Sequence, residues 1–248
     1  MQTSPSNDLE ALVDIQRYQD WILKPYSPYL RGSVLEVGAG IGSLSMHYAH
    51  SVERAVLVEP EGKRVAVLRE RVAHLRSAEV VEASIESWLG ANGADGADGA
   101  QHETFDAILM INVLEHIRDD AMTLRRLYER LRPGGAFLCF VPACPWLYGT
   151  LDRLVHHYRR YERKGLEALL REVGFDIATL NYFDIAGILP WWFAGRVLRQ
   201  TAFNAQAAMI YDRFIVPLMS KVEQLMPPPI GKNLTCVAVR PMSETARS

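Results

Sequence analysis

The run Val34-Leu35-Glu36-Val37-Gly38-Ala39-Gly40-Ile41-Gly42-Ser43 constrains the fold more than any other part of the chain. Residues 33–37 are a short apolar stretch that enters three closely spaced glycines, which reads as a buried strand. A helix is expected over 43–49. Glycine carries no Cβ, so the backbone turns tightly there and a ligand can approach it. The start of the following helix offers N–H groups with no intrahelical partner. A strand that breaks into a glycine turn and then a helix is the ligand-binding corner of an open α/β sheet.

The rest of the chain repeats that alternation. Leu12, Ile15, Tyr18 and Ile22 recur at helical spacing and open the chain with an amphipathic helix, stopped by Pro25 and Pro28. Buried strands are predicted over 55–58, 79–82, 105–111, 136–141, 175–182 and 234–240. Between them, Val65, Leu68, Val72 and Leu75 mark one helix, and Leu124, Leu127 and Leu131 a second. That second helix starts near Asp119 and stops before Pro133-Gly134-Gly135. Leu166, Leu169, Leu170 and Val173 mark a third, closed by Gly174. Strands alternating with helices predict an α/β fold, a mostly parallel sheet with helices on both faces. At 248 residues and 49% apolar content the chain suits one domain over 1–248 with an insertion. Residues 1–30 are read as an N-terminal helical segment and 184–229 as a helical cap inserted before the last strand. Residues 90–100, with Gly-Ala-Asp repeated, read as a surface loop.

A net charge of −2 argues against nucleic-acid binding, which calls for a basic excess. Cys139, Cys144 and Cys236 show no metal-ligand spacing and no disulfide framework, which suits a reducing, cytoplasmic setting; no metal is expected. The polar first ten residues lack a signal-peptide pattern, and no uncharged apolar run is long enough to cross a bilayer, so no stable membrane insertion is expected.

The residues around the glycine turn favour one ligand chemistry over another. The dinucleotide fingerprint is G-x-G-x-x-G. Here the third glycine comes one residue early, and Ser43 stands in its place. Glu36 precedes the first glycine by two residues, where a carboxylate suits an ammonium group and repels a pyrophosphate. Both features speak against a nicotinamide-dependent oxidoreductase. Glu59 ends the second strand, 21 residues after Gly38, where a carboxylate accepts protons from ribose hydroxyls. Ser84 and Ile85 follow the third strand, placed to meet an adenine edge and face.

Glu36 to Gly42, Val58-Glu59-Pro60, Phe105 to Ile117 and Leu131 to Gly135 together resemble the class I S-adenosylmethionine-dependent methyltransferases. The similarity runs in order over about residues 30–182 and is greatest to the branch of ubiquinone-biosynthesis and natural-product methyltransferases. The resemblance implies a Rossmann-like seven-stranded sheet whose last strand runs antiparallel between its neighbours. It implies S-adenosyl-L-methionine as cofactor, held by Glu36, Gly38, Ala39, Gly40, Gly42, Glu59, Pro60, Ser84, Ile85 and Asn112. Ser84 departs from the aspartate that the family often carries there.

Methyl transfer from a sulfonium is an in-line displacement, so the protein chiefly aligns donor and acceptor. A hydroxyl acceptor also needs a base. His116, after the fourth strand, is the catalytic candidate, because imidazole titrates near neutrality. The reading opposed to it is a structural histidine beside the cofactor, with Glu115 a local structural carboxylate. Trp146, Tyr148, His157, Tyr158, Arg159 and Arg160 form a second cluster after the fifth strand. Its aromatic rings could sandwich an acceptor and its arginines could fork onto a carboxylate or phosphate. Tyr18 and Trp191 complete the expected acceptor set. The expected activity is methyl transfer to oxygen or nitrogen of a small molecule. A lipid-linked acceptor and a non-catalytic cofactor-binding module are the alternatives. The apolar run Ile188 to Phe193 is expected to make the insertion a pocket lid, with a homodimer contact as the second reading and membrane contact as the third.

Overall fold

The computed structural model of the chain describes residues 15–91 and 103–242. Leu12 of the opening helix and residues 92–100 of the expected surface loop lie outside the described residues. Seven strands form one sheet: β1 (Ser33–Val37), β2 (Arg54–Glu59), β3 (Ala78–Glu82), β4 (Phe105–Ile111), β5 (Leu131–Pro142), β6 (Asp176–Phe183) and β7 (Asn233–Val239). Their order is β3-β2-β1-β4-β5-β7-β6. β7 pairs antiparallel with both β5 and β6, and the other pairings are parallel. This is the Rossmann-like sheet with an antiparallel last strand that the resemblance implied.

The period-2 alternation of a strand explains how this sheet is covered on both faces. Leu35, Val37, Ile108, Met110, Phe137 and Cys139 point to one side. There they meet helices α4 (Ile85–Ala91), α5 (Asp120–Glu129) and α7 (Arg163–Val173) through Trp88, Leu124, Leu127, Leu166 and Leu170. Val34, Leu57, Leu109, Leu138 and Phe140 point to the other side. They meet α1 (Gln16–Leu23), α2 (Ser45–Tyr48), α3 (Gly62–Val72) and α10 (Val216–Leu225) through Trp21, Ile22, Tyr48, Leu68 and Val216. Helices α6 (Thr150–Leu154), α8 (Ile188–Trp192) and α9 (Ala205–Ile210) lie outside these layers in sequence, the last two within the long β6–β7 connection. Among the described residues no helix is long and apolar enough to cross a membrane.

Several boundaries differ from the sequence reading, among them the helix expected to carry Leu131, which ends at Glu129 and leaves Leu131 to the strand. The helix expected over 43–49 shrinks to α2, followed by a 3₁₀ turn at Ala49–Ser51. β5 starts at Leu131, not at 136: Phe105 pairs with Leu131 and Ala107 with Ala136, so four residues of β5 bulge out opposite one of β4. Gly134 supports that bulge at φ +79°, and its N–H donates to the Arg240 carbonyl at 2.8 Å. The segment after α1 is tied to the sheet centre by Tyr26, fully buried, whose hydroxyl donates to the Cys139 carbonyl at 2.6 Å. Tyr26→Phe keeps the ring and deletes this bond, so it should lower stability by about 0.5–1.5 kcal/mol in urea unfolding. An unchanged midpoint would show that the bond contributes nothing.

Candidate functional site

The glycine turn is latched to the end of β2. Gly38 and Ala39 N–H groups donate to the Val58 carbonyl at 2.8 and 3.1 Å, and Gly40 N–H donates to Glu59 Oε2 at 2.9 Å. These amides are therefore spent on the fold and are not a free phosphate cradle, consistent with a ligand that lacks a pyrophosphate. Gly38 adopts φ +73°, and a Cβ there would run into Val113 Cγ2. Gly40, at φ +59°, has no atom within 4 Å of where its Cβ would lie. Its bare backbone faces open space beside Glu59. Asn112, next to the carboxyl end of β4, also has positive φ, +52°. Such a conformation is uncommon outside glycine and gathers at functional positions.

Glu36 is 3% exposed and accepts from Ser45 Oγ at 2.6 Å and Tyr48 Oη at 2.7 Å, both on Oε2. Burial pushes its carboxyl up to about 7; the two hydroxyls pull it down and Glu59 adds to the rise. No side-chain cation of the described residues pairs with it.

Glu36, Gly38, Ala39, Gly40, Glu59, Pro60, Ser84, Ile85 and Asn112 all line one cavity of about 1120 Å³. Tyr18, His116, His157, Arg160 and Trp191 line the same cavity. It exceeds the roughly 300–1,000 Å³ of common small-molecule sites, so there is room for two partners. Gly42 is not among the lining residues; a Cβ there would meet Leu68 Cδ1 at 2.7 Å, so this glycine serves packing against α3. Trp146, Tyr148, Tyr158 and Arg159 also stand off the cavity. Tyr148 Oη donates to the His157 carbonyl at 2.7 Å. Arg159 is held by Asp120 at 2.8 Å and the Arg118 carbonyl at 2.7 Å. Trp146 and Tyr158 are exposed. Arg160 reaches the wall, but its guanidinium is buried on Asp152 at 2.7 Å and on the Ala143 carbonyl at 3.0 Å. Its fork is occupied by the protein itself. Sequence reasoning missed Arg64, Phe203, Tyr211, Lys232 and Asn233, which complete the walls.

Asp152, His157, Glu115 and His116 cluster together. Asp152 Oδ1 lies 3.0 Å from His157 Nδ1, which leaves His157 Nε2 facing Glu115 Oε1 at 3.6 Å. The His116 and His157 rings meet edge to face with centroids 4.7 Å apart. Glu115 is fully buried and neither of its oxygens has a hydrogen-bond partner. Burial pushes it to about 8, opposed by its own backbone and Arg160 and helped by Asp152. His116 is exposed toward the cavity, yet the protein packed around it, with the His157 ring, lowers it to about 4. One ligand atom each from Glu115, His116 and His157 falls within 4.8 Å of the others, a donor set that can hold a divalent ion.

The far wall is fixed by Asp184, fully buried at φ +61°. Its carboxylate accepts from Tyr18 Oη at 2.9 Å, Lys232 Nζ at 2.8 Å, Gly187 N–H at 3.0 Å and the Tyr211 hydroxyl. Glu223 in turn accepts from the N–H groups of Asp184 and Ile185 at 2.9 Å each.

A carboxylate-bearing glycine corner on a Rossmann-like sheet shares one cavity with a histidine, an arrangement that suits an enzyme bringing a cofactor and a second substrate together. The sequence model for the methyltransferase domain matches residues 14–180, well over half of the chain, and the protein belongs to that family of class I S-adenosylmethionine-dependent methyltransferases. The chain is 28% identical over 188 residues to a ubiquinone biosynthesis O-methyltransferase of Xanthomonas oryzae, covering 69% of this chain and 72% of the relative. A putative sarcosine dimethylglycine methyltransferase from Galdieria sulphuraria shares the fold with TM-score 0.60 at 14% identity, covering 91% of this chain and 86% of the other. An N-methyltransferase from Bradyrhizobium japonicum, solved with S-adenosyl-L-homocysteine, aligns with TM-score 0.52 at 12% identity over 86% of this chain and 79% of the other.

Asp184 offers a direct test of how the acceptor wall is held. Burial alone would raise its carboxyl, but Lys232 and the hydroxyls of Tyr211 and Tyr18 hold it below the usual carboxylate range. A depressed folded value means that its stabilisation is present above the unfolded value of about 3.9 and is lost as pH falls through the folded one. Asp184→Asn should cost about 3–5 kcal/mol at neutral pH, because Lys232 loses its buried counter-charge. The gap from the parent protein should narrow in acid. A gap of constant size down the pH scale would contradict this assignment.

Proposed function

We propose that the chain transfers the methyl group of S-adenosylmethionine to a hydroxyl oxygen of a small, largely apolar acceptor held between His116 and Trp191. The observation that carries this reading is a single cavity lined both by Glu36, Gly40 and Glu59 and by His116, Trp191 and Phe203. Glu36 takes the ammonium of the methionine moiety, Glu59 the ribose hydroxyls, and Ser84 and Ile85 the adenine. Gly40 lets the cofactor lie against the backbone.

The acceptor hydroxyl points its proton at His116. Bound S-adenosylmethionine would supply an activated methyl group, and the His116 imidazole would take up the hydroxyl proton released on transfer. At about 4, His116 is neutral at any working pH, so its proton-accepting form is always present. The price is weak basicity, since a base works best with a value near the operating pH. The name of the Xanthomonas relative favours oxygen over nitrogen as the receiving atom. Trp191 and Phe203, with ring centroids 6.1 Å apart, supply an apolar wall.

Two measurements test the two ends of the cavity. Below about pH 7 Glu36 is protonated in the free protein, and an ammonium partner requires it ionised. Cofactor binding at pH 6 should therefore release a proton, read by calorimetry in buffers of different ionisation enthalpy. Glu36→Gln should abolish that release; release that persists in the variant would move the ammonium elsewhere. His116→Ala should lower turnover by roughly 10²–10⁴-fold with cofactor affinity nearly intact. Normal turnover in a folded variant would make His116 structural and favour a nitrogen acceptor.

A further inference from the structure

The β6–β7 connection has its amphipathic character inside out. From Ala205 to Leu225 the chain is helical throughout: α9, a π-helical turn at Tyr211–Ile215, then α10. Pro217 lacks the N–H that would bond back into the preceding turn, and that turn widens. The inward stripe carries Asp212, Val216, Met219 and Glu223. Its two acids are buried and used, Asp212 by the Tyr18 N–H at 2.8 Å and Glu223 by the N–H groups of Asp184 and Ile185. The outward stripe, at spacings of three and four, is Ile210, Phe214, Leu218, Val222 and Leu225. Phe214 is 64% exposed, Leu218 62% and Leu225 89%. Leu189, Phe193 and Leu198 extend the exposed apolar surface on the other arm of the connection. A water-facing helix normally shows the opposite arrangement.

Charge decides what covers this face. The charged residues from 184 to 229 are Asp184, Arg196, Arg199, Asp212, Arg213, Lys221 and Glu223. All three acids are buried, and all four cations are exposed. The outer surface is thus apolar with cations only. A two-fold contact with a second copy would set these cations against each other, because an isologous interface uses the same patch twice. No exposed acid of the connection could pair them. An anionic lipid surface complements both features, since bilayers take up exposed apolar side chains while Arg and Lys meet the headgroups.

We propose that the outer face of the β6–β7 connection docks peripherally on an anionic membrane surface. The inner side of the same connection lines the cavity through Trp191, Phe203 and Tyr211. A lipophilic acceptor could then pass from the bilayer to the chamber along one structural element. The docking itself does not depend on the methyl-transfer reading.

The test is co-sedimentation of the full chain with vesicles of phosphatidylcholine alone and of phosphatidylcholine mixed with phosphatidylglycerol. Binding is expected only to the mixed vesicles, and it should weaken with added salt. Lys221→Gln and Arg213→Gln should each weaken it by roughly fivefold, the worth of one cation near such a surface. Phe214→Ser with Leu218→Ser should abolish it with an unchanged melting temperature. Should the double variant melt early, the two glutamine variants still decide the question. No binding to either vesicle overturns the proposal. A parent protein that is dimeric in light scattering, and a Phe214→Ser variant that is monomeric, would overturn it in favour of a second copy.

Discussion

The buried carboxylate of Asp184 holds together parts of the chain that no local rule would bring into contact. It sits where β6 ends, and around it gather Tyr18 from the first helix, Tyr211 from the long connection and Lys232 from the approach to β7. Each of those three side chains also faces the cavity. That wall of the cavity is therefore set by electrostatics at a single point, and apolar packing alone would not fix it. A buried charge with this many partners is costly to break and specifies one arrangement over its competitors.

The cofactor end is organised in the opposite sense. Glu36 is buried with two hydroxyl donors but no cation of its own. The fold leaves that carboxylate without a charge partner among the described residues. Glu115 is a second such group, deeper and with no hydrogen bond at all. Strain of this kind is kept at places where a ligand or a proton arrives, while Asp184, far along the chain, supplies rigidity.

The fold was legible because its signals are local. Strand burial follows from unbroken apolar runs such as 107–111, and helix faces from the spacing of Leu124 and Leu127. The glycine corner, Glu36 and Glu59 could be read because they lie at fixed distances from one strand end. The acceptor cluster was read less well. Tyr148 and Arg159 have the right chemistry and the right neighbourhood, but backbone carbonyls and Asp120 claim them. Sequence spacing does not reveal which donor an acceptor will take. Lys232 and Tyr211 gave no signal at all, since only Asp184, 48 and 27 residues away, gives them a place. The inverted pattern of the connection was visible as apolar content, but the burial of all three acids was not.

The central claim is that one cavity holds cofactor and acceptor end to end. A crystal structure with S-adenosyl-L-homocysteine bound tests it most directly. The account predicts the amino group at Glu36, the ribose hydroxyls at Glu59, and the sulfur directed toward the unfilled space between His116 and Trp191. Density with the sulfur turned away from His116, or a cofactor that fills the chamber as far as Trp191, would contradict it.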